Sequence, residues 1–283
     1  MRPIDCLHLG RERVICCWQV DDVLIDPGPS SCLETLLAAL DGCRPRALLL
    51  THIHLDHAGA SGSLARMFPD MAVYVHERGA RHMADPQRLL DSAKRLYGDD
   101  MDRLWGPFEP VRTEQLHPLA GGEVLELGAL RFEVAYTPGH ASHHVSYLHD
   151  GTAFVGDVGG VRITPRTPPF PPTPPPDIDV DLWHRSLERI AAWAPERLAM
   201  THFGASEDVE EQLTDVAARL DRIAELARDL DAVGWIEAVR AELRAASSPE
   251  VYEAYLQAAP TDQAYAGLRR YWDKRQAAAA VEG

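Results

Sequence analysis

The sequence lacks several features that would direct its reading elsewhere. No Lys/Arg-rich run and no basic helix occurs, and 43 Asp and Glu outweigh 28 Lys and Arg, a formal net charge of -15. Such a surface repels phosphate backbones, so nucleic acid is not an expected partner. No apolar stretch approaches the length of a membrane-spanning helix, and the opening MRPIDCLHLG lacks the apolar core of an export signal. A membrane is therefore not an expected partner either, and the expected location is the cytoplasm. Cysteines are few: Cys6, Cys16, Cys17, Cys32 and Cys43. An odd number without framework-like spacing argues against a disulfide scaffold and for reduced, buried thiols. A Gly-x-Ser-x-Gly nucleophile motif is also absent. Gly59-Ala60-Ser61-Gly62 approaches it only superficially, and Ser61 is read as a helix cap.

What is present is an ordinary globular composition. Hydrophobic residues make up 46% and charged residues 25% of 283 positions, enough for one large domain or a domain with an appendage. Apolar, β-branched runs at 13–20, 22–26, 46–50, 71–76, 130–136, 145–148, 152–155 and 197–200 read as strands. Ser30 or Ser31 is expected to cap a helix running to about Leu40. Residues 77–110 read as a helical insertion, either a lid or a surface appendage. Eight prolines between 165 and 176 force an extended connection, followed by a helix over about 180–193. From Ser206 onward an apolar stripe at three- and four-residue intervals predicts helices. Ser206 and Ser248-Pro249-Glu250 are the expected helix starts. The expected organisation is a catalytic unit over 1–205 and a helical extension over 206–283. Whether insertion and tail cap a site or form a contact, a homodimer interface included, stays open.

Polar clusters stand at the ends of the apolar strands: 51–57, 137–140, 156–157 and 201–202. Together they supply His52, His54, Asp56, His57, His140, Asp157 and His202. A lone histidine is usually a hydrogen-bonded core or surface residue. The block Thr51-His52-Ile53-His54-Leu55-Asp56-His57 changes that weighting, because desolvating several imidazoles with a carboxylate is costly unless a cation compensates. Nitrogen and oxygen donors of this kind suit zinc, with iron or manganese as alternatives.

These residues, with Thr137-Pro138-Gly139-His140, Gly156-Asp157 and Thr201-His202, resemble the metallo-β-lactamase-fold hydrolase superfamily in motif order across roughly 10–205. The resemblance implies an α/β (α+β) fold, an αββα four-layer sandwich of two similar halves with two metal ions at one sheet edge. It further implies that His52, His54 and His140 hold one metal and Asp56, His57 and His202 the other. Asp157 bridges the two, and Asp56 doubles as a catalytic residue that orients the nucleophile or relays its proton. The motif departs from many relatives at Ala141-Ser142-His143-His144, where His143 or His144 is a candidate for the pocket wall or a supporting hydrogen bond. Gly156-Asp157-Val158-Gly159-Gly160 lacks the Cys-Gly-Arg that follows the bridging Asp in glyoxalase II-like thioesterases.

The expected function is hydrolysis of a carboxylic ester-type bond (lactone, ester or thioester) in a small molecule, by a hydroxide bridging two divalent metals. A phosphodiesterase is the alternative, opposed by the acidic charge. An iron-dependent redox enzyme is the third reading, and a purely structural metal site the weakest, because structural zinc shells have four ligands. β-Lactam cleavage is not favoured without an export signal.

Overall fold

In the computed structural model, which describes residues 1–282, the apolar runs become two six-stranded mixed sheets. The first contains, in spatial order, β1 (Arg2–Asp5), β2 (Cys16–Val20), β3 (Val23–Ile25), β4 (Ala47–Leu49), β5 (Ala72–His76) and β6 (Leu116–Leu119). β1 to β3 pair antiparallel and β3 to β6 parallel. The second contains β7 (Val124–Leu127), β8 (Leu130–Tyr136), β9 (Val145–His149), β10 (Thr152–Phe154), β11 (Arg197–Met200) and β12 (Gly204–Ser206). Its one parallel pair is β10 with β11.

Parallel neighbours need crossovers, and helices supply them. α1 (Leu33–Leu40) joins β3 to β4, and α2 (Leu55–Ala58) with α3 (Ser61–Met67) joins β4 to β5. The insertion between β5 and β6 folds as α4 (Glu77–Ala84), α5 (Gln87–Tyr97) and α6 (Met101–Trp105). α7 (Val180–Ala192) joins β10 to β11, and the tail forms α8 (Val209–Asp229), α9 (Ala232–Ala246), α10 (Pro249–Ala258) and α11 (Thr261–Glu282).

Strand alternation sorts the side chains into two cores. Trp18, Val23, Ile25 and Leu49 of the first sheet meet Phe132, Val134, Tyr147 and Phe154 of the second. The alternate residues Cys17, Leu24 and Leu48, and on the other sheet Ala153 and Leu198, face the helices. Both faces of each sheet are thus covered, which is why the central strands read as continuous apolar runs. The four-layer αββα sandwich with helices at its C-terminal end is the architecture the motifs implied.

Several local expectations give way. β1, β6, β7 and β12 carry weak patterns. β6 holds Pro118 at the sheet edge, where a missing N–H is tolerated, and β12 has only three residues and starts with glycine. Ser206 ends β12, so the helix expected there begins at Val209. Ser30 and Ser31 cap no helix: their hydroxyls donate to the carbonyls of Gly59 and Leu104, tying α1 to neighbouring loops. Ser61 opens α3 without capping it. Ser248 does cap α10, accepting from the Val251 amide with Pro249 in the first turn.

Trp18 joins the two sheets. It is 2% exposed, packs edge-on against Phe154 and donates from Nε1 to the Met200 carbonyl at 3.1 Å. Trp18→Ala is expected to cost about 3–5 kcal/mol from the cavity and the unpaired carbonyl. Denaturant unfolding of both proteins under one metal condition measures it; a loss under about 1 kcal/mol would contradict this account of the inter-sheet core.

Candidate metal centre

Five strands end at the same edge of the sandwich, and each hands over a polar residue. β3 ends at Asp26, β4 at the 51–57 loop, β8 at the 137–140 turn, β10 at Gly156-Asp157 and β11 at Thr201-His202. Backbone bonds stitch these ends together: the Asp26 amide donates to Leu49, that of Val145 to Thr51, and that of Cys16 to Thr201. Two glycines permit the closeness. Gly156 has φ 46°, and a Cβ there would lie 2.5 Å from Thr51 Oγ1. Gly139 has φ 134°, and a Cβ there would meet the Trp183 backbone.

The structure brings all seven sequence-derived residues into one cluster, and divides them in two. His54 Nδ1 lies 3.0 Å from His52 Nε2 and 2.9 Å from His140 Nε2, while Asp157 Oδ2 lies 3.2 Å from His140 Nε2 and 4.0 Å from His52 Nε2. The other carboxylate oxygen, Oδ1, lies 3.2 Å from His57 Nε2 and 3.5 Å from His202 Nε2. Asp56 Oδ2 completes the second set at 3.3 Å from His202 Nε2 and 3.9 Å from His57 Nε2. Donors about 2.0–2.1 Å from one zinc at tetrahedral angles stand roughly 3.3 Å apart, which is the spacing observed.

Hydrogen bonding on the far side of each ring tests whether these donors suit cations. His140 Nδ1 faces the Pro172 carbonyl at 2.9 Å, and His202 Nδ1 faces that of Val14. A carbonyl has no proton to give, so both Nδ1 atoms carry hydrogen, and Nε2 is the atom each ring aims at the cluster and would offer to a cation. His57 Nδ1 donates to Asp26 Oδ2 at 2.8 Å with the same result. Buried His57 Nε2, His202 Nε2 and Asp157 Oδ1 have no hydrogen-bond partner, and all three face the same point. Unpartnered buried donors are costly, and a cation between them removes the cost. The residues fit a pair of ions.

Protonation preferences agree with the division. Burial, then the neighbouring imidazoles, hold His52 well below the ordinary histidine value and push His54 down to about 4. Burial would lower His57 and His202 as well, but Asp157, ahead of the other carboxylates, raises both. Burial would raise Asp157, yet His57, His140 and His202 keep it well below the usual carboxylate range. The first set therefore offers neutral imidazoles, and ion uptake by the second releases protons.

Asp26 is the residue the sequence reading missed. Fully buried, it accepts from the Thr51 amide at 2.8 Å, Thr51 Oγ1 at 2.7 Å, Thr201 Oγ1 at 2.9 Å and His57 Nδ1. Because Thr51 Oγ1 donates to Asp26, it accepts from His52 Nδ1 at 3.1 Å, so one carboxylate orients a histidine of each set. Asp26 ends an apolar strand as the ligand clusters do, a signal obscured by the Pro27-Gly28-Pro29 turn beside it. His144 is buried, stacked 5.1 Å from His52 and bonded through Nδ1 to Thr137 Oγ1, while His143 lines the cavity wall.

That cavity, of about 1100 Å³, has His54, Asp56 and Asp157 on its floor. The insertion supplies one wall through Arg81, Tyr97 and Trp105, and the tail another through Leu256, Gln257 and Gln263. Cross-links hold the walls together: Tyr97 Oη donates to Gln263 Oε1, while His8 joins the Leu104 carbonyl to Gln257. Insertion and tail both wall the cavity.

Two facing mixed sheets thus carry imidazole and carboxylate donors of metal-ligand type gathered at one edge. The chain belongs to the metallo-beta-lactamase superfamily, whose family model matches residues 21–202. It is 28% identical over 228 residues to the metallo-beta-lactamase fold-containing protein ST1585 of Sulfurisphaera tokodaii, covering 77% of this chain and 82% of that one. The crystal structure of ST1585 aligns with a TM-score of 0.70 over 95% of this chain and 97% of its own, at 22% identity. A hydroxyacylglutathione hydrolase of Xanthomonas campestris is 34% identical over 152 residues, 52% of this chain and 47% of that relative, so the chain spans about half its length. TTHA1623, solved in a di-iron-bound form, aligns with a TM-score of 0.57 at 26% identity, over 76% of this chain and 98% of that one.

Asp26→Asn places an amide where four donors converge and removes the charge behind His57 and Thr51. Metal affinity is expected to fall about 10–100-fold. Chelator competition followed by elemental analysis reads it out; an affinity within twofold of the parent would remove Asp26 from this role.

Proposed function

We propose that the chain is a dinuclear metal-dependent hydrolase that cleaves a carboxylic ester-type bond (a lactone, ester or thioester) in a small molecule. One observation carries the dinuclear reading: the two oxygens of Asp157 face different donor sets, Oδ2 towards His140 and Oδ1 towards His57 and His202. His52, His54 and His140 would hold one ion, Asp56, His57 and His202 the other, and Asp157 both. Zinc is the proposed metal, on the nitrogen and oxygen donors, and the di-iron form of TTHA1623 keeps iron as the alternative. When bound, the ions supply Lewis acidity that activates water and polarises the scissile carbonyl.

The protein's own groups do the positioning. Asp56 is the donor of the second set open to the cavity, its side chain 19% exposed against 0% and 1% for His57 and His202. A carboxylate there can orient the attacking water and take up its proton for delivery to the leaving oxygen. Asp26 keeps His57 and, through Thr51, His52 from rotating as charge develops. The cavity walls leave room for a small molecule above the donor sets. The alignment with a hydroxyacylglutathione hydrolase supports hydrolysis as the reaction. The five cysteines, unbridged and four of them buried, support a reducing cytoplasmic setting.

Elemental analysis of the purified protein should find about two equivalents of metal, matching the two donor sets. A panel of lactones, thioesters, aryl esters and a bis-aryl phosphodiester should show turnover of the carboxylic esters. Turnover of the phosphodiester alone would replace this reading with phosphodiester hydrolysis, and one equivalent of iron with oxygen uptake would replace it with redox chemistry. Asp157→Ala should lower turnover by at least about 10³-fold and release at least one ion. An unchanged rate would sink the bridging assignment.

A further inference from the structure

The cavity above the donor sets is lined by both basic and apolar side chains. Arg78 and Arg81 of α4 and Arg88 at the start of α5 are all exposed at the rim. Arg103 on the same rim is paired with Asp100 at 3.0 Å. Arg78, Arg81 and Arg88 have no carboxylate partner among the described residues; Arg78 lies over the Tyr136 ring, and Arg81 donates through Nε to His82. Burial, and after it Arg81 and Arg88, lower the pKa of His82 against the opposing pull of Asp85, so the two guanidinium groups stand near one imidazole. Glu77 and Asp177 share the cavity wall, but the Asp177 carboxylate already accepts from the Ser142 hydroxyl and amide. Leu89 and Leu96 of α5, the helix that carries Arg88, line the same cavity together with Leu9, and Leu9 and Leu96 are more than 40% exposed.

Unpaired guanidinium groups at a cavity with low-dielectric walls focus positive potential and favour anionic oxygen ligands. Apolar side chains left exposed beside them favour a hydrocarbon chain. We infer that the substrate is an amphiphilic anion: an acyl ester or thioester carrying a carboxylate or phosphate away from the scissile bond. Arg81 and Arg88 recognise that group, and the leucine wall takes the hydrocarbon between. This rests on the hydrolase reading, since it places the cleaved bond over the donor sets.

Two esters of equal acyl length test it on the metal-loaded protein: para-nitrophenyl hexanoate, and the mono-para-nitrophenyl ester of adipic acid. The adipate ester is expected to have a kcat/KM about tenfold or more above that of the hexanoate ester, with the advantage shrinking at high salt. In Arg81→Gln/Arg88→Gln the ratio should fall to about one; because it is taken within each protein, a general loss of folded enzyme does not mimic it. A third ester ending in phosphate ranks the two anions. Equal rates for the neutral and anionic esters, or a ratio the double substitution leaves intact, would overturn the inference. If neither ester is cleaved, the panel of lactones, thioesters and aryl esters decides on the hydrolase reading separately. Calorimetric binding of adipate against hexanoate, in parent and double variant, then decides on the arginines: tighter adipate binding that the variant loses supports their role, and equal binding ends it.

Discussion

A single buried carboxylate holds the working edge of this molecule together. Asp26, at the end of β3, receives donors from Thr51 and His57 after β4 and from Thr201 after β11, so three strand ends in two sheets meet there. Buried ions persist only where hydrogen bonds replace their lost hydration, and four donors do so here. The same bonds fix one histidine of each donor set in the tautomer a cation requires. Sheet register, loop position and ligand orientation thus meet at one side chain.

The surrounding architecture makes that arrangement affordable. The apolar layer between the sheets keeps the strand ends in register. His140 and His202 are oriented by backbone carbonyls from the Pro-rich segment and the loop before β2. Loops often carry function, but here they are pinned to a rigid sandwich at many points, so the donors are set before any ion arrives. The donor sets also differ in charge: the first is three imidazoles with one shared oxygen, whereas the second adds Asp56 and is backed by Asp26.

The insertion and the tail complete the cavity. α5 and α6 lie far in sequence from α10 and α11, yet Tyr97 of α5 bonds to Gln263 of α11, and His8 bridges Leu104 of α6 and Gln257 of α10. These contacts give the cavity defined walls, with basic and apolar side chains on the insertion, over a floor of metal-type donors. Selectivity in such a site resides in the walls and reactivity in the floor, so the wall side chains decide which molecule is processed.

Much of this was legible in the amino-acid order. The central strands announce themselves as short apolar runs because both sheet faces are covered, and the ligand clusters stand out because each follows such a run. β6 and β12 did not, since an edge strand tolerates Pro118 and Gly204 without any alternating pattern. Ser206 was misjudged because a serine before two acids resembles a helix start, while its actual place is set by pairing with Leu198 across the sheet. Local chemistry determined the donors and the fold that carries them. Asp26 as the common anchor, the pairing of donors through the two oxygens of Asp157, and the meeting of insertion with tail were decided only in three dimensions. Each includes a contact between residues a hundred or more positions apart (Asp26 with Thr201, Asp157 with His57, Tyr97 with Gln263), and no local pattern encodes such distances.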